Sequence, residues 1–209
     1  MVLLMDKDKK NAIIQEFVAF VEGRMPFDEF QRNYEANPGY KKLLDDKKPG
    51  KKYSAWRNRT INESMALYNW LTTDGKLVVH RSIMFFLQYY KIPVNPTQKY
   101  QNEAQYLVDI QPSYTDIEDE DFLNAIIASA PGGLTKSEKK KWLKEKIKSL
   151  FKYDKRPPRW IQGPEWPITN GKPLVFKGQT KEIPGEIEEI WYTFYDPETK
   201  EETVISQFY

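Results

Sequence analysis

The side chains that most often carry out chemistry in proteins are scarce in this sequence. It contains one histidine, His80, and no cysteine, which excludes thiolate nucleophiles, disulfides and metal sites built from several histidines. His80 lies between Val79 and Arg81 in an apolar stretch, where a structural histidine is more typical than a catalytic one. There is no Walker A loop, no GxGxxG loop and no GxSxG elbow. We therefore expect a protein that is not an enzyme and that uses no cofactor or metal.

Carboxylates are concentrated at residues 116–121, in the run DIEDED. The run lacks the alternating ligand spacing and the glycine of a calcium loop, so it does not predict a metal site. Its position is suited to capping a helix that begins near residue 120. A carboxylate pair for glycoside hydrolysis stays open, because such partners lie far apart along a chain. The acidic candidates for contact with a partner are Asp116, Glu118, Asp119 and Asp121.

Residues 156–168, RPPRWIQGPEWPI, hold four prolines and two tryptophans. Because proline fixes φ and lacks a backbone donor, this segment is predicted to be neither helix nor central strand. Two interpretations of the tryptophans stay open: buried staples that join helices to a sheet, or exposed anchors for a protein partner. The candidate partner-binding residues in this segment are Arg159, Trp160, Gln162 and Trp166.

Charge is segregated along the chain although the net charge is only +2. Residues 136–159 carry eleven Lys or Arg against three acids, whereas residues 103–121 carry seven acids and no Lys or Arg. Such blocks either steer a charged partner or neutralise one another across the fold. The basic segment 135–159, with its Arg and Trp residues, also suits nucleic-acid binding through phosphate contacts and base stacking. Nucleic-acid binding is therefore the alternative to protein binding.

The elements that must position these residues are predicted to be helical as far as residue 155. Apolar residues at positions 13, 14, 17, 18 and 21 follow the helical period and predict a helix over 11–22. The same reasoning predicts a helix that begins at Pro26, further helices over 40–45, 61–71, 98–108 and 120–129, and a charged loop over 47–53. Thr135 and Glu138 have the spacing of a capping box at the start of a basic helix.

Residues 70–80 fit two structures. Asp74 and Gly75 have the sequence of a type I′ hairpin turn between apolar flanks. Residues 76–90 are apolar nearly all round and contain no helix breaker. This uninterrupted stretch is longer than a typical strand. The length favours a buried central helix, with the hairpin as the alternative.

Beyond Pro173 the apolar period changes from 3.6 to 2, which predicts strands at 174–176, 189–195 and 202–208. The middle strand has apolar residues at both parities and is predicted to be central and covered on both faces. The predicted fold class is α+β, a mainly α-helical N-terminal body with a small C-terminal antiparallel three-strand meander packed against it. We assign the helical body to 1–155, a Pro/Trp-rich connecting segment to 156–172 and the meander to 173–209, together one compact unit.

The chain shows no signal for export or for a membrane. Its first residues, MVLLM, are too few for a secretory apolar region, and no apolar run is long enough to cross a bilayer. A cytoplasmic location is therefore expected.

Three stretches of sequence carry a family resemblance. They are FVAFVEGRMPFDEF at 17–30, the PPRWIQ, EWP and GKP motifs within 157–173, and YTFYDPET at 192–199. They resemble the sequences of small bacterial immunity-type proteins that are encoded beside polymorphic toxins. The resemblance implies a cytoplasmic immunity protein that neutralises a cognate protein toxin by direct binding, without catalysis. It brings no catalytic or cofactor-binding residue to this chain.

Overall fold

The computed structural model describes residues 6–52, 59–182 and 189–208. Contacts divide the chain into two compact units, Met1–Gln105 and Tyr106–Tyr209, which we call the first and second units. The first unit contains α1 (Lys7–Val21), α2 (Phe27–Ala36), α3 (Pro38–Leu44), α4 (Lys47–Lys52), α5 (Ile61–Met65) and α6 (Thr73–Tyr89). Helix α7 (Lys99–Asp109) contains the boundary. The second unit contains α8 (Glu120–Ala128), α9 (Lys136–Leu150), β1 (Ile168–Thr169), β2 (Lys172–Pro173), β3 (Val175–Glu182), β4 (Glu189–Tyr195) and β5 (Glu202–Phe208).

The core of the first unit is built largely from aromatic rings. The predicted apolar stripe of α1 is buried, and it brings Phe17 and Phe20 into the interior. Phe20 stacks on Phe30 of α2 with ring centroids 4.0 Å apart. Phe17 meets Phe86 of α6 edge-on, with centroids 5.6 Å apart. Because each large ring buries 150–250 Å², a few of them suffice to anchor short helices.

The ambiguous residues 70–80 begin a helix, so the helix prediction is confirmed and the hairpin alternative is wrong. Thr72 is the N-cap of α6, and its Oγ1 accepts a hydrogen bond from the Gly75 amide at 3.0 Å. A Cβ at position 75 would lie 1.9 Å from the carbonyl oxygen of Asn69. Gly75 is therefore required by the close approach of the preceding turn and not by a hairpin.

The charged segment predicted as a loop over 47–53 is wrong for residues 47–52, which form α4; residue 53 lies outside the described residues. The Asp46 carboxylate accepts a hydrogen bond from the Lys48 amide at 2.9 Å. Pro49 is the third residue of the helix, where a backbone N–H has no intrahelical acceptor. The proline therefore costs this short helix no hydrogen bond.

The helix predicted over 61–71 is shorter than expected, because α5 ends at Met65. The indole Nε1 of Trp70 donates to the Met65 carbonyl at 2.9 Å, and the Asn69 side chain accepts from the Leu71 amide at 3.0 Å. These side chains satisfy backbone groups that a longer helix would pair internally. Leu71 is left on the surface, 73% exposed.

In the second unit, α8 and α9 both begin at the predicted caps. Asp119 accepts from the Phe122 amide at 2.9 Å. Thr135 and Glu138 form the predicted capping box, in which the Thr135 amide donates to the Glu138 carboxylate at 2.9 Å and the Glu138 amide donates to Thr135 Oγ1 at 3.3 Å. The capping signals in the sequence are confirmed.

The sheet is an antiparallel meander in the order β3-β4-β5. The predicted bounds of β4 and β5 are confirmed, whereas β3 is longer than the predicted 174–176. A register shift at Lys177 inserts one residue into β3, which bends the strand. Strands β1 and β2 form a separate two-stranded pair within the connecting segment and its end, with Ile168 opposite Pro173.

Helices and sheet share one core in the second unit. Leu143 and Ile147 of α9, together with Phe151 directly after its last residue, belong to the same buried cluster as Tyr192 and Phe194 of β4. The α+β class, with the three-strand antiparallel meander packed against helices, is confirmed. The segments assigned from the sequence, with boundaries at residues 155 and 172, place α8 and α9 with the N-terminal helices. The contacts in the structure place these two helices with the sheet instead.

Candidate protein-binding surface

Trp166 lies in the core of the second unit and is only 7% exposed. Its indole Nε1 donates to the Leu174 carbonyl at 2.8 Å. Its ring lies 5.4 Å from that of Phe151 at the end of α9 and 5.3 Å from that of Phe194 in β4, measured between centroids. Trp166 therefore joins helix to sheet as a buried staple and is not a free surface contact.

Trp160 is half-buried and attaches the segment to the inner side of the sheet. Its ring centroid lies 4.4 Å from that of Tyr192. Its indole Nε1 donates to the Tyr114 carbonyl at 3.0 Å. The indole N–H therefore has a hydrogen-bond acceptor, and the ring packs against aromatic neighbours, as is usual for buried tryptophan.

The backbone around Arg159 is held by side chains from the sheet. The Arg159 carbonyl accepts from the Tyr192 hydroxyl at 3.0 Å, and the Arg159 amide donates to Gln179 Oε1 at 2.8 Å. Gln207, 1% exposed, accepts from the amides of Ile161 and Gln162 and donates to the Gly163 carbonyl at 2.8 Å. This proline-rich backbone, which has few partners of its own, is therefore ordered by the sheet.

Two of the predicted contact residues in this segment display polar groups on the surface. Arg159 is exposed, and its guanidinium makes no ion pair within the part of the chain that the structure describes. Gln162 is exposed too, and its Nε2 donates to the Phe208 carbonyl at 2.7 Å at the end of β5. A guanidinium on a fixed backbone can form bidentate hydrogen bonds to a partner carboxylate at little entropic cost.

The four acidic candidates, Asp116, Glu118, Asp119 and Asp121, are all exposed. The stretch that carries them is anchored by the buried residues Thr115 and Ile117, and the Ile117 amide donates to Gln111 Oε1 at 2.8 Å. Asp119 also caps α8. The described residues contain no cluster of His, Cys, Asp or Glu able to hold a metal ion. The geometry therefore displays carboxylates outward along a fixed stretch of backbone.

Tyr114 connects the acidic stretch at 116–121 to the Pro/Trp-rich connecting segment. Its carbonyl accepts from Trp160, and its ring lies 5.9 Å from the Trp166 ring and 5.9 Å from the Tyr153 ring. Asp116 is two residues from this anchor, and Arg159 precedes Trp160 directly. The structure thus ties the acidic and basic candidates to one aromatic cluster, although they are more than 40 residues apart in sequence.

The outer face of the sheet presents apolar residues that the sequence analysis missed. The prediction that β4 is central is confirmed, but the prediction that both its faces are covered is wrong, because Trp191 is 38% exposed. Trp191 lies opposite Ser206, and Val204 and Phe208 flank Ser206 on the same face; Phe208 is 59% exposed. The sequence contains one signal for this apolar face: Val204, Ser206 and Phe208 alternate along β5 and therefore lie on the same side of the sheet. Which side of the sheet that is depends on the register between β5 and β4.

Two glutamates near the C-terminal end of the chain form ion pairs with lysines. Lys172 contacts Glu198 at 2.5 Å, and Lys177 contacts Glu202 at 2.5 Å. The hydrogen bond that each lysine donates to its partner carboxylate raises the pKa of that lysine. In the same way, Lys140 of the basic helix contacts Asp109 at 2.7 Å. The Lys140–Asp109 pair joins the basic residues 136–159 to the acidic residues 103–121, so part of the charge that is segregated along the sequence is neutralised in the fold.

His80 is a buried structural residue of the first unit. Its Nε2 lies 2.9 Å from the Val21 carbonyl oxygen, which can only accept, so this nitrogen carries the proton. The ring packs against Phe20 and Tyr100. Burial lowers the pKa of His80, with a contribution from the nearby charge of Arg81, against a smaller opposing effect of the Val21 hydrogen bond.

No helix in the described ranges 6–52, 59–182 and 189–208 combines the length and the apolar character needed to cross a bilayer. Comparisons of the chain with protein-family models, with curated proteins and with solved structures found no match.

Proposed function

We propose that this chain is a non-catalytic protein-binding protein, an immunity protein of a bacterial toxin system that neutralises a cognate toxin in the cytoplasm by direct binding. The main support is the apolar outer face of the sheet, which we call the Trp191 patch and define as Trp191, Val204 and Phe208. Contiguous exposed apolar residues on a rigid element are typical of protein interfaces, and tryptophan is prominent among interface hot spots. The resemblance of three sequence stretches to immunity-type proteins supports the choice of partner.

Exposed charges elsewhere on the same unit suit long-range attraction of such a partner. Asp116, Glu118 and Asp121 carry exposed carboxylates, and charges of this kind mainly raise the rate of association with a partner of opposite sign. We therefore propose that the toxin carries a basic surface. The exposed guanidinium of Arg159 is a further candidate for contact with a carboxylate of the partner.

The proposal is tested by titration calorimetry with the purified product of the adjacent gene, which the sequence resemblance predicts to encode a toxin. Trp191→Ala is expected to weaken binding by about thirtyfold or more, because truncation of a central aromatic anchor typically costs about 2 kcal/mol or more. Thr203→Ala, an exposed change of the opposite parity in the neighbouring strand, is the matched control and should bind normally. Absence of binding by the unmodified protein, or equal affinity of the two variants, would refute the proposal.

A second measurement addresses the acidic residues. In the triple variant Asp116→Asn/Glu118→Gln/Asp121→Asn, the association rate should fall and lose its dependence on salt, while the dissociation rate stays nearly unchanged. Asp119 is kept because it caps α8. An unchanged association rate at low salt would show that the acidic residues do not attract the toxin.

The alternative, nucleic-acid binding, is favoured by the lysines of α9. Lys136, Lys139, Lys141 and Lys144 make no ion pair within the residues that the structure describes, in contrast to Lys140 and Lys148, which do. A salt-sensitive gel shift that disappears in the Lys139→Gln/Lys140→Gln/Lys144→Gln variant would support this alternative. Retention of toxin binding by the same variant would separate the two functions.

A further inference from the structure

Strand β5 lies at one edge of the sheet, next to β4. In the turn before it, the Asp196 amide donates to the Glu201 carbonyl at 3.0 Å, so Glu201 directs its backbone groups towards β4. The direction of these groups alternates along an antiparallel strand, and the β4–β5 register is continuous from one end of the pair to the other. Alternate residues of β5 therefore direct their N–H and C=O groups away from the sheet, namely Glu202, Val204, Ser206 and Phe208.

The middle of this backbone edge is unpaired. At its end, the Phe208 carbonyl accepts from Gln162 Nε2 at 2.7 Å, which agrees with its outward direction. The N–H and C=O groups of Val204 and Ser206 have no hydrogen-bond partner among the residues that the structure describes. A row of unpaired groups on a regular strand is a template for a further strand from another chain.

The opposite edge of the sheet, formed by β3, is protected. The Phe176 amide donates to the Lys152 carbonyl at 2.9 Å, and the Asp154 amide donates to the Phe176 carbonyl at 3.0 Å, so another part of the same chain covers the start of this edge. Beyond it, the register shift at Lys177 bends the strand and places a lysine there. Bulges and lysines are the usual features that keep an edge strand from pairing with another chain.

The sequence of β5 suits pairing with a copy of itself. Residues 203–208, TVISQF, are uncharged, contain neither proline nor glycine, and include three β-branched residues. Segments of this kind pair readily with identical segments. In an antiparallel pair centred on Val204, Val204 lies opposite Val204 of the second copy, and Glu202 lies opposite Ser206 of the second copy. Like charges are not opposed in this register, and every N–H and C=O of Val204 and Ser206 gains a partner.

We propose that this chain forms a symmetric dimer in which two β5 strands pair antiparallel and join two three-stranded sheets into one sheet of six strands. Because a two-fold pair uses the free edge of both copies and the β3 edges are protected, assembly stops at two chains. The two-fold axis of such a pair is perpendicular to the sheet, so both Trp191 patches lie on the same side. The dimer does not rest on the proposed toxin binding, but it presents two patches to any partner.

The test measures the mass of the whole protein by analytical ultracentrifugation from about 10 μM to about 1 mM, since so small an interface belongs to the weak class. The average mass should rise from that of one chain, 24.8 kDa, towards twice that value. Over the same range, hydrogen exchange of the Val204 and Ser206 amides should slow by about tenfold, because these amides become hydrogen-bonded. The Ile205 amide, which bonds to β4 in both states, is the internal control.

Two variants block the edge in different ways. Ser206→Pro removes an N–H that points away from β4, a position where an edge strand tolerates proline. Val204→Lys places two ammonium groups opposite each other at the centre of the pair. Both variants should stay at the mass of one chain up to about 1 mM, at least about tenfold weaker in self-association. The matched control is Thr180→Lys, which adds the same charge to the same face of the sheet on β3 and should dimerise normally.

Three results would overturn the proposal: a mass of one chain at every concentration, growth beyond two chains, or equal dimerisation of Val204→Lys and Thr180→Lys. If the Val204 and Ser206 amides gained protection only after the toxin was added, the second strand would belong to the toxin and the dimer would be excluded. The mass measurements involve no protein partner. Their failure therefore leaves the proposed toxin binding intact, and a failure of toxin binding leaves the dimer intact.

Discussion

At the scale of single residues, three tryptophans of the second unit occupy three different environments. Trp166 is buried between α9 and the sheet, Trp160 is half-buried with its indole bonded to Tyr114, and Trp191 stands on the outer face. From the sequence, Trp160 and Trp166 could each be a buried staple or an exposed anchor. The contacts support the staple for both, whereas Trp191, inside a strand, has the exposure expected of an anchor.

Substitution of these tryptophans should separate stability from binding. Trp166→Ala is expected to lower the free energy of unfolding by about 3–5 kcal/mol, because it leaves a large cavity in the core. Trp160→Ala should cost about 2–3 kcal/mol, since part of its ring is already in water. Trp191→Ala should cost less than about 1 kcal/mol. Urea unfolding followed by circular dichroism measures all three, and a larger loss for Trp191→Ala than for Trp166→Ala would contradict the assigned environments.

The buried histidine should make stability depend on pH. The pKa of His80 is lowered in the folded protein from its ordinary value of 6.5, so the unfolded chain binds a proton more readily. Stability is therefore complete above pH 6.5 and is lost as the pH falls from there towards the folded pKa. The urea midpoint should be lower at pH 5.5 than at pH 7.5, both above the usual carboxylate range of about 4. His80→Asn should reduce this dependence; the same slope in both proteins would exclude His80 as its source.

At the scale of elements, the sequence predicted helix starts correctly where the capping hydrogen bond joins residues only a few positions apart. The capping box at Thr135 and the cap at Asp119 needed only neighbouring side chains, and both are present. The bounds of β4 and β5 followed from period 2 and the turn between them. In contrast, α5 ends early, and the Met65 carbonyl accepts from the Tyr68 amide and the Trp70 indole of the following turn; the position of the Trp70 ring depends on how that turn packs.

Gly75 provides a test of this dependence on packing. In an isolated helix, Gly→Ala would stabilise by about 0.5–1 kcal/mol. Here the added Cβ would lie 1.9 Å from the Asn69 carbonyl oxygen, so Gly75→Ala should destabilise by about 1–3 kcal/mol instead. Gly132→Ala is the control, because nothing lies within 4 Å of its Cβ position. Thermal unfolding measures both, and a raised melting temperature for Gly75→Ala would contradict the observed start of α6.

At the scale of the whole molecule, each unit has its own hydrophobic core. The first is centred on rings such as Phe20 and Phe30, and the second on α9, Trp166 and the inner face of β4. The contacts therefore place α8 and α9 with the sheet. No periodic pattern signals this grouping, because an apolar helical stripe does not specify which partner covers it.

Separate cores predict separate responses to core mutations. Phe30→Ala should accelerate hydrogen exchange of the α1 and α6 amides while the β4 amides keep their protection within a few-fold, and Trp166→Ala should do the opposite, since opening follows contiguous cooperative units. Mass spectrometry of deuterated peptides resolves both regions. Equal acceleration in both units by either variant would show a single cooperative unit instead.

The sequence by itself determined the class of the protein: the order of helices then strands, the caps and the absence of cysteine. These features depend on backbone sterics and on hydrogen bonds between near neighbours, which any short stretch reveals. Only the tertiary structure decided that Trp166 is buried and Trp191 exposed, that Gln207 orders the backbone of the connecting segment, and that β5 forms an edge of the sheet. These depend on which distant surfaces meet, and burial is a property of the pair in contact, not of either stretch alone.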